Sequence, residues 1–108
     1  MKKSTAKMRE KPVEDHLRDE VKIRGGFCVK LNPLWNIGIP DRLVILPGFI
    51  GLVETKRPKG GILSGLQKWW GRRLTALNPG TYCVLNTKER IDDFLAAYPV
   101  RKEHVKAQ

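Results

Sequence analysis

The sequence predicts a mixed α/β domain with the element order α-β-β-β-α-β-α, and three observations carry that prediction. Two runs rich in strand formers, residues 42–46 and 49–56, flank the turn dipeptide Pro47-Gly48 and read as a hairpin. A helix-period stripe opened by a capping signal, Ser64 with Gln67, separates this hairpin from another strand-like run, so the helix becomes a crossover between parallel strands. The chain has 108 residues, 41% hydrophobic and 30% charged, which suffices for one core and is too short for two.

Residues 1–11 hold Lys2, Lys3, Lys7, Arg9 and Lys11 against the single acid Glu10 and are expected to form a flexible basic arm. Over residues 12–24, Val13, Leu17 and Val21 recur every four positions between Pro12, which suits a first turn, and the stop Gly25-Gly26. That predicts a helix with Glu14 in its first turn. Residues 27–31 alternate loosely as a strand that ends before Asn32-Pro33, and the loop carrying Trp35 then delivers Asp41 into the hairpin. After the hairpin, residues 57–63 form a basic, glycine-containing loop. Leu66, Trp70, Leu74 and Leu77 give the second helix its apolar stripe, stopped by Asn78-Pro79-Gly80. Residues 81–85 read as a strand, and Asn86 with Glu89 is expected to cap a short helix bearing Ile91, Phe94 and Leu95. Pro99 begins a charged tail over residues 99–108, which leaves residues 12–98 as the single folded domain.

Lys and Arg number 21 against 11 Asp and Glu, a net charge of +10 that attracts polyanions, nucleic acid foremost. Two cysteines, Cys28 and Cys83, are too few for a four-cysteine zinc site or a disulfide framework and are expected as buried thiols. The basic start is not followed by the apolar core of a secretory leader. The longest apolar stretch, residues 43–53, is broken by Pro47, Gly48 and Gly51 and falls short of the roughly 18 residues that cross a bilayer. The expectation is a soluble intracellular protein.

The hairpin holds the chemistry. If Pro47 and Gly48 are its central turn residues, Leu46 pairs with Phe49, and the same ladder brings Asp41 opposite Glu54. Directly opposed residues share a face, with Cβ atoms about 4.5–5.5 Å apart. Lys56 falls on the face of Glu54, with Ile50 and Leu52 further along it. Opposed carboxylates repel unless a cation lies between them, and hard divalent cations such as Mg²⁺ prefer oxygen ligands. A cation so held acidifies water, and Lys56 is placed to orient or deprotonate that water for attack on a phosphodiester. Taken alone, such a triple is more often a surface ion pair at a strand start. The opposed register, the apolar face and the net charge weigh against that reading.

In Pro40-Asp41 and Glu54-Thr55-Lys56 the chain resembles the PD-(D/E)XK nuclease signature, and it is most similar to the VRR-NUC domain family. That family's pattern is a Glu on a leading helix, a basic strand, G-x-P-D, an E-x-K strand, a glycine-containing loop and S-x-x-Q opening a helix. Glu14, Lys30, Gly38-Ile39-Pro40-Asp41, Glu54-Thr55-Lys56, Gly60-Gly61 and Ser64-Gly65-Leu66-Gln67 supply it in order over residues 12–85. The resemblance implies a restriction-endonuclease-like α-β-β-β-α-β core with a mixed sheet flanked by helices. It implies that Glu14, Asp41 and Glu54 assist metal binding, that the backbone carbonyl of Thr55 adds a ligand, that Lys56 serves catalysis and that Gln67 supports the site. It further implies Mg²⁺ or Mn²⁺ as cofactor. Small stand-alone members, often phage-borne, are implied to act as homodimers on branched DNA such as four-way junctions.

The residues also admit plainer roles. Glu14 could serve the positive end of its helix, a contribution of about 0.3–1 kcal/mol. Gln67 could be the reciprocal half of a capping box, with Ser64 as the cap. Arg57, Lys59, Lys68, Arg72 and Arg73 follow the catalytic lysine without an intervening acid and are candidate phosphate contacts, Arg57 and Lys59 foremost, with Lys30 and Ser64 reaching the same groove. Trp69 and Trp70 lie about 100° apart on one helix, so a single core face cannot hide both. One of them, with Trp35, is a candidate dimer contact. His16 and His104 are expected to be solvated. Two rivals remain: a non-catalytic basic architectural protein, which leaves the acids unexplained, and a monomeric flap or nicking nuclease of the same superfamily.

Overall fold

The computed structural model describes residues 2–31, 38–57 and 60–101; Trp35, Lys59 and His104 lie outside the described residues. The elements are α1 (Lys2–Lys22), β1 (Phe27–Lys30), β2 (Arg42–Leu46), β3 (Phe49–Thr55), α2 (Gly65–Leu77), β4 (Tyr82–Leu85) and α3 (Lys88–Leu95). The four strands form one sheet in the order β1-β2-β3-β4. The first three run antiparallel, and β4 lies parallel to β3 because α2 carries the chain back across the sheet. The mixed α/β architecture and the element order match the expectation.

The helix predicted over residues 12–24 begins at Lys2 and runs straight through Pro12, so residues expected as a flexible arm have helical backbone. Pro12 removes one backbone donor, but the residues before it are strong helix formers and the turn continues. The helix ends where glycine permits: Gly25 takes φ 82, and the amides of Gly25 and Gly26 donate to Lys22 and Val21 carbonyls at 3.0 and 3.1 Å.

One sheet face packs on α1 and α3. Val13, Leu17 and Val21 of α1 meet Val44, Leu46, Val53 and Leu85 from the sheet and Ile91 and Leu95 from α3, all buried. Gly26 closes this layer: a Cβ there would stand 2.2 Å from the Ile45 carbonyl oxygen, which the ladder fixes. Gly26→Ala is therefore expected to cost about 2 kcal/mol, read as a lower urea midpoint with an unchanged m value.

The other face carries α2, packed on β4, where Gly71 lets the helix backbone approach the Tyr82 ring. Two expectations fail here. Leu66 and Leu77 are 51% and 71% exposed, because α2 covers the sheet's edge and not its middle. The third helix is capped by Thr87, whose hydroxyl accepts from the Arg90 amide, while the Asn86 side-chain oxygen is buried without a hydrogen-bond partner. No helix among the described residues is long and apolar enough to cross a membrane.

Candidate active site

The hairpin ladder runs from Leu46↔Phe49 to Arg42↔Val53, the register expected from Pro47-Gly48 as the turn, with Gly48 at φ 87. Asp41 stands one step beyond the last ladder pair. Strand β2 begins only at Arg42, so the Thr55 amide on β3 lies past the ladder and takes a side-chain acceptor. Asp41 supplies one: its Oδ1 accepts from the Thr55 amide at 3.1 Å and its Oδ2 from the Thr55 hydroxyl at 2.9 Å. Its own carbonyl accepts from the Leu31 amide at 2.8 Å, so both sides of the residue are pinned. Each carboxylate oxygen keeps a further lone pair.

Glu54, the neighbour of Thr55 on β3, is 4% exposed. Its Oε2 accepts from the Gln67 side-chain amide at 3.1 Å and lies 3.7 Å from Lys56 Nζ. Gln67 completes the capping box and also reaches Glu54. Its Oε1 accepts from the Ser64 amide at 2.9 Å and its backbone amide donates to Ser64 Oγ at 3.1 Å, while its remaining amide group holds Glu54. The capping box thus fixes a side chain at the start of α2 and aims it at the acid.

Glu14 has a different setting from the one its sequence position suggests. Because α1 begins at Lys2, Glu14 is well inside the helix, and the first-turn dipole role falls away. Its Oε1 instead accepts from Arg42 Nη2 at 2.8 Å. Arg42 is 8% exposed, and its Nε is buried without a hydrogen-bond partner. Sequence reasoning missed this residue, although a signal existed: Arg42, Val44 and Leu46 alternate inward, so the first is a charge on a core face.

Burial raises the Asp41 carboxyl above the usual value of 3.8; the two Thr55 hydrogen bonds oppose this, the Glu14 charge adds to it and Arg42 lowers it. Burial and then the Glu54 charge likewise raise the Tyr82 phenol. No three His, Cys, Asp or Glu side chains among the described residues are grouped to hold a metal ion. Mg²⁺ usually keeps several waters and binds through one or two carboxylates plus substrate phosphate. A site of hard oxygen donors in which burial and a neighbouring acid disfavour the ionised form fits a divalent cation. Asp41→Asn removes that penalty. The variant is expected to be more stable than the parent at neutral pH, with the advantage vanishing below pH 3.8, where both side chains are neutral. Urea melts at several pH values check this, and a less stable variant at pH 7 contradicts it.

The cationic candidates surround this end unevenly. Lys30 is exposed at the end of β1, opposite Arg42, and Lys68, Arg72 and Arg73 are exposed on α2. Arg57 Nη2 donates to the Gly60 carbonyl at 3.2 Å, and a cavity of about 140 Å³ lies among Lys56, Arg57, Gly60 and Gly61. Trp69 is 46% exposed and meets the half-buried Trp70 edge-on, with ring centroids 5.3 Å apart. His16 is not solvated as expected: its Nε2 lies 2.7 Å from Asp92 Oδ1 and ties α1 to α3. Cys28 and Cys83 are half-buried, and burial pushes the Cys83 thiol up to about 11, away from reactivity.

No family model matches the chain. A solved structure described as "VRR_NUC domain" superimposes with a TM-score of 0.74 at 26% sequence identity, covering 84% of this chain and 98% of that one. A protein of Acyrthosiphon pisum secondary endosymbiont phage 1, named "Putative nuclease p44", is 46% identical over 52 residues, which are 47% of this chain and 56% of that relative. The match thus spans little more than half the length of the curated relative.

Proposed function

We propose that the chain, which resembles a VRR-NUC domain in fold and in the order of its motif residues, is a divalent-metal-dependent endodeoxyribonuclease, acting as a homodimer on branched DNA. The observation that carries the reading is the buried Glu54 carboxylate, held by Gln67 and 3.7 Å from Lys56 Nζ, on the strand whose next residue holds Asp41.

Asp41 and Glu54 would hold Mg²⁺ or Mn²⁺, joined by the Thr55 carbonyl and, through its proximity to Asp41, supported by Glu14. The cation, when bound, supplies Lewis acidity toward water and the scissile phosphate. The chain's own groups do the rest. Thr55 fixes the Asp41 carboxylate with two donors, so its free lone pairs point in a set direction. Gln67 does the same for Glu54. Lys56, half-shielded beside Glu54, orients or deprotonates the attacking water and offsets charge on the phosphate. Arg57, Lys59, Lys68, Lys30 and the Ser64 end of α2 hold flanking phosphates.

Dimerisation is supported by an uncovered apolar face. Phe27, Val29 and Ile50 are 58%, 45% and 60% exposed, and the ladders place them on one side of the sheet with Ile45, Leu43 and Leu52. Two sites related by a two-fold axis suit the paired cuts of a junction. In a cleavage panel of linear duplex, flap, splayed-arm and four-way junction DNA, the junction is expected to be cut at least tenfold faster than the duplex. Equal rates across the panel would reject branch selectivity, and a monomer by light scattering at working concentration would reject the dimer. Junction affinity should also fall steeply with salt, since phosphate contacts release counterions; a flat response contradicts phosphate-led binding.

A further inference from the structure

We propose that the cavity between α2 and the edge strand β4 receives an unpaired nucleobase of the bound DNA, next to the phosphate that is cut; this rests on the nuclease reading above. The cavity measures about 550 Å³, within the range of roughly 300–1,000 Å³ typical of ligand pockets. Gly71 and Ala76 wall it from α2 and Tyr82 and Val84 from β4, so its lining is overwhelmingly apolar with one aromatic ring. Because Gly71 has no side chain, the Tyr82 ring lies directly on the helix backbone; a Cβ at Gly71 would be 2.7 Å from the ring. The ring is thereby held in place, as a stacking platform must be.

Position and charge select the occupant. Val84 is the register partner of Glu54 and Tyr82 that of Leu52, so the cavity floor lies on the sheet face that carries the catalytic acid. Lys68 directly follows Gln67, the residue that holds Glu54, and Arg72 stands one helical turn further along the cavity wall. Two cations at the rim of an apolar slot suit a nucleotide, with phosphates on the lysine and arginine and the base inside. The apolar walls disfavour a bare phosphate, and a base stacked in duplex DNA does not present a free face to the Tyr82 ring. A base freed at a branch point does, at the smallest unstacking cost.

The test is equilibrium binding in EDTA, where no cleavage occurs, to splayed-arm DNA carrying 2-aminopurine at the first unpaired position and to an otherwise identical DNA abasic there. The full chain is expected to bind the base-bearing DNA roughly tenfold more tightly than its abasic twin, with a change in 2-aminopurine emission. Ala76→Trp and Thr75→Trp fill the cavity from exposed helix positions and are expected to bind both DNAs alike, at the level of the abasic one. Equal affinity of the parent protein for the two DNAs overturns the proposal, as does an undiminished base preference in both tryptophan variants. Cleavage decides the nuclease reading separately. A protein that cuts in Mg²⁺ but ignores the base refutes only the cavity, and one that prefers the base but never cuts refutes only the nuclease.

Discussion

Lys56→Ala is expected to lower single-turnover DNA cleavage by about 100- to 10,000-fold, the range for a positioned acid–base group, with folding and junction affinity close to the parent's. Lys56 follows the last residue of β3, so its truncation leaves the ladder in place, and Gln67 continues to hold Glu54. What it removes is the ammonium 3.7 Å from Glu54 Oε2. Lys56→Arg restores the charge but not the compact ammonium that orients the water, so it is expected to recover little of the rate. A rate within threefold of the parent for Lys56→Ala would show that the lysine is only an ion-pair partner of Glu54.

Glu14→Gln is expected to destabilise the fold by about 3 kcal/mol, the scale for stripping one member from a buried charge pair. Arg42 is the more buried partner, and its Nε already lacks a hydrogen bond, so loss of the Glu14 charge leaves a guanidinium in the core with little compensation. Replacing both residues, in Glu14→Gln with Arg42→Met, is expected to return stability to within about 1 kcal/mol of the parent, because the unpaired charge is gone. Urea unfolding of the single and double variants measures the coupling. A loss of under about 0.5 kcal/mol in Glu14→Gln would place the pair among weak surface bridges.

The features legible in the sequence are those that local chemistry decides. Pro47-Gly48 determined the hairpin register through one turn, and the ladder follows it pair for pair. Ser64 and Gln67 are three residues apart, so their reciprocal bonds follow from helix geometry alone. The features that escaped depend on how distant elements meet. The Arg42–Glu14 pair requires the rotation of α1 over β2, and the helix start at Lys2 follows from a proline tolerated inside a run of strong helix formers. Leu66 and Leu77 have the right spacing for a buried stripe, yet α2 lies over the edge strand, leaving both in solvent. The carboxylate of Asp41 was expected to face Glu54. It turns to Thr55 because the strand beside it ends one residue short and leaves an amide to satisfy.

The most direct measurement is cleavage of a four-way junction by the parent protein, by Asp41→Asn and by Glu54→Gln, each in Mg²⁺ and in EDTA, alongside calorimetric titration of Mn²⁺ into all three. The account predicts cutting only by the parent and only in Mg²⁺, with Mn²⁺ binding weakened in both variants. Cutting that persists in EDTA, or that either variant retains with unchanged Mn²⁺ affinity, would contradict it.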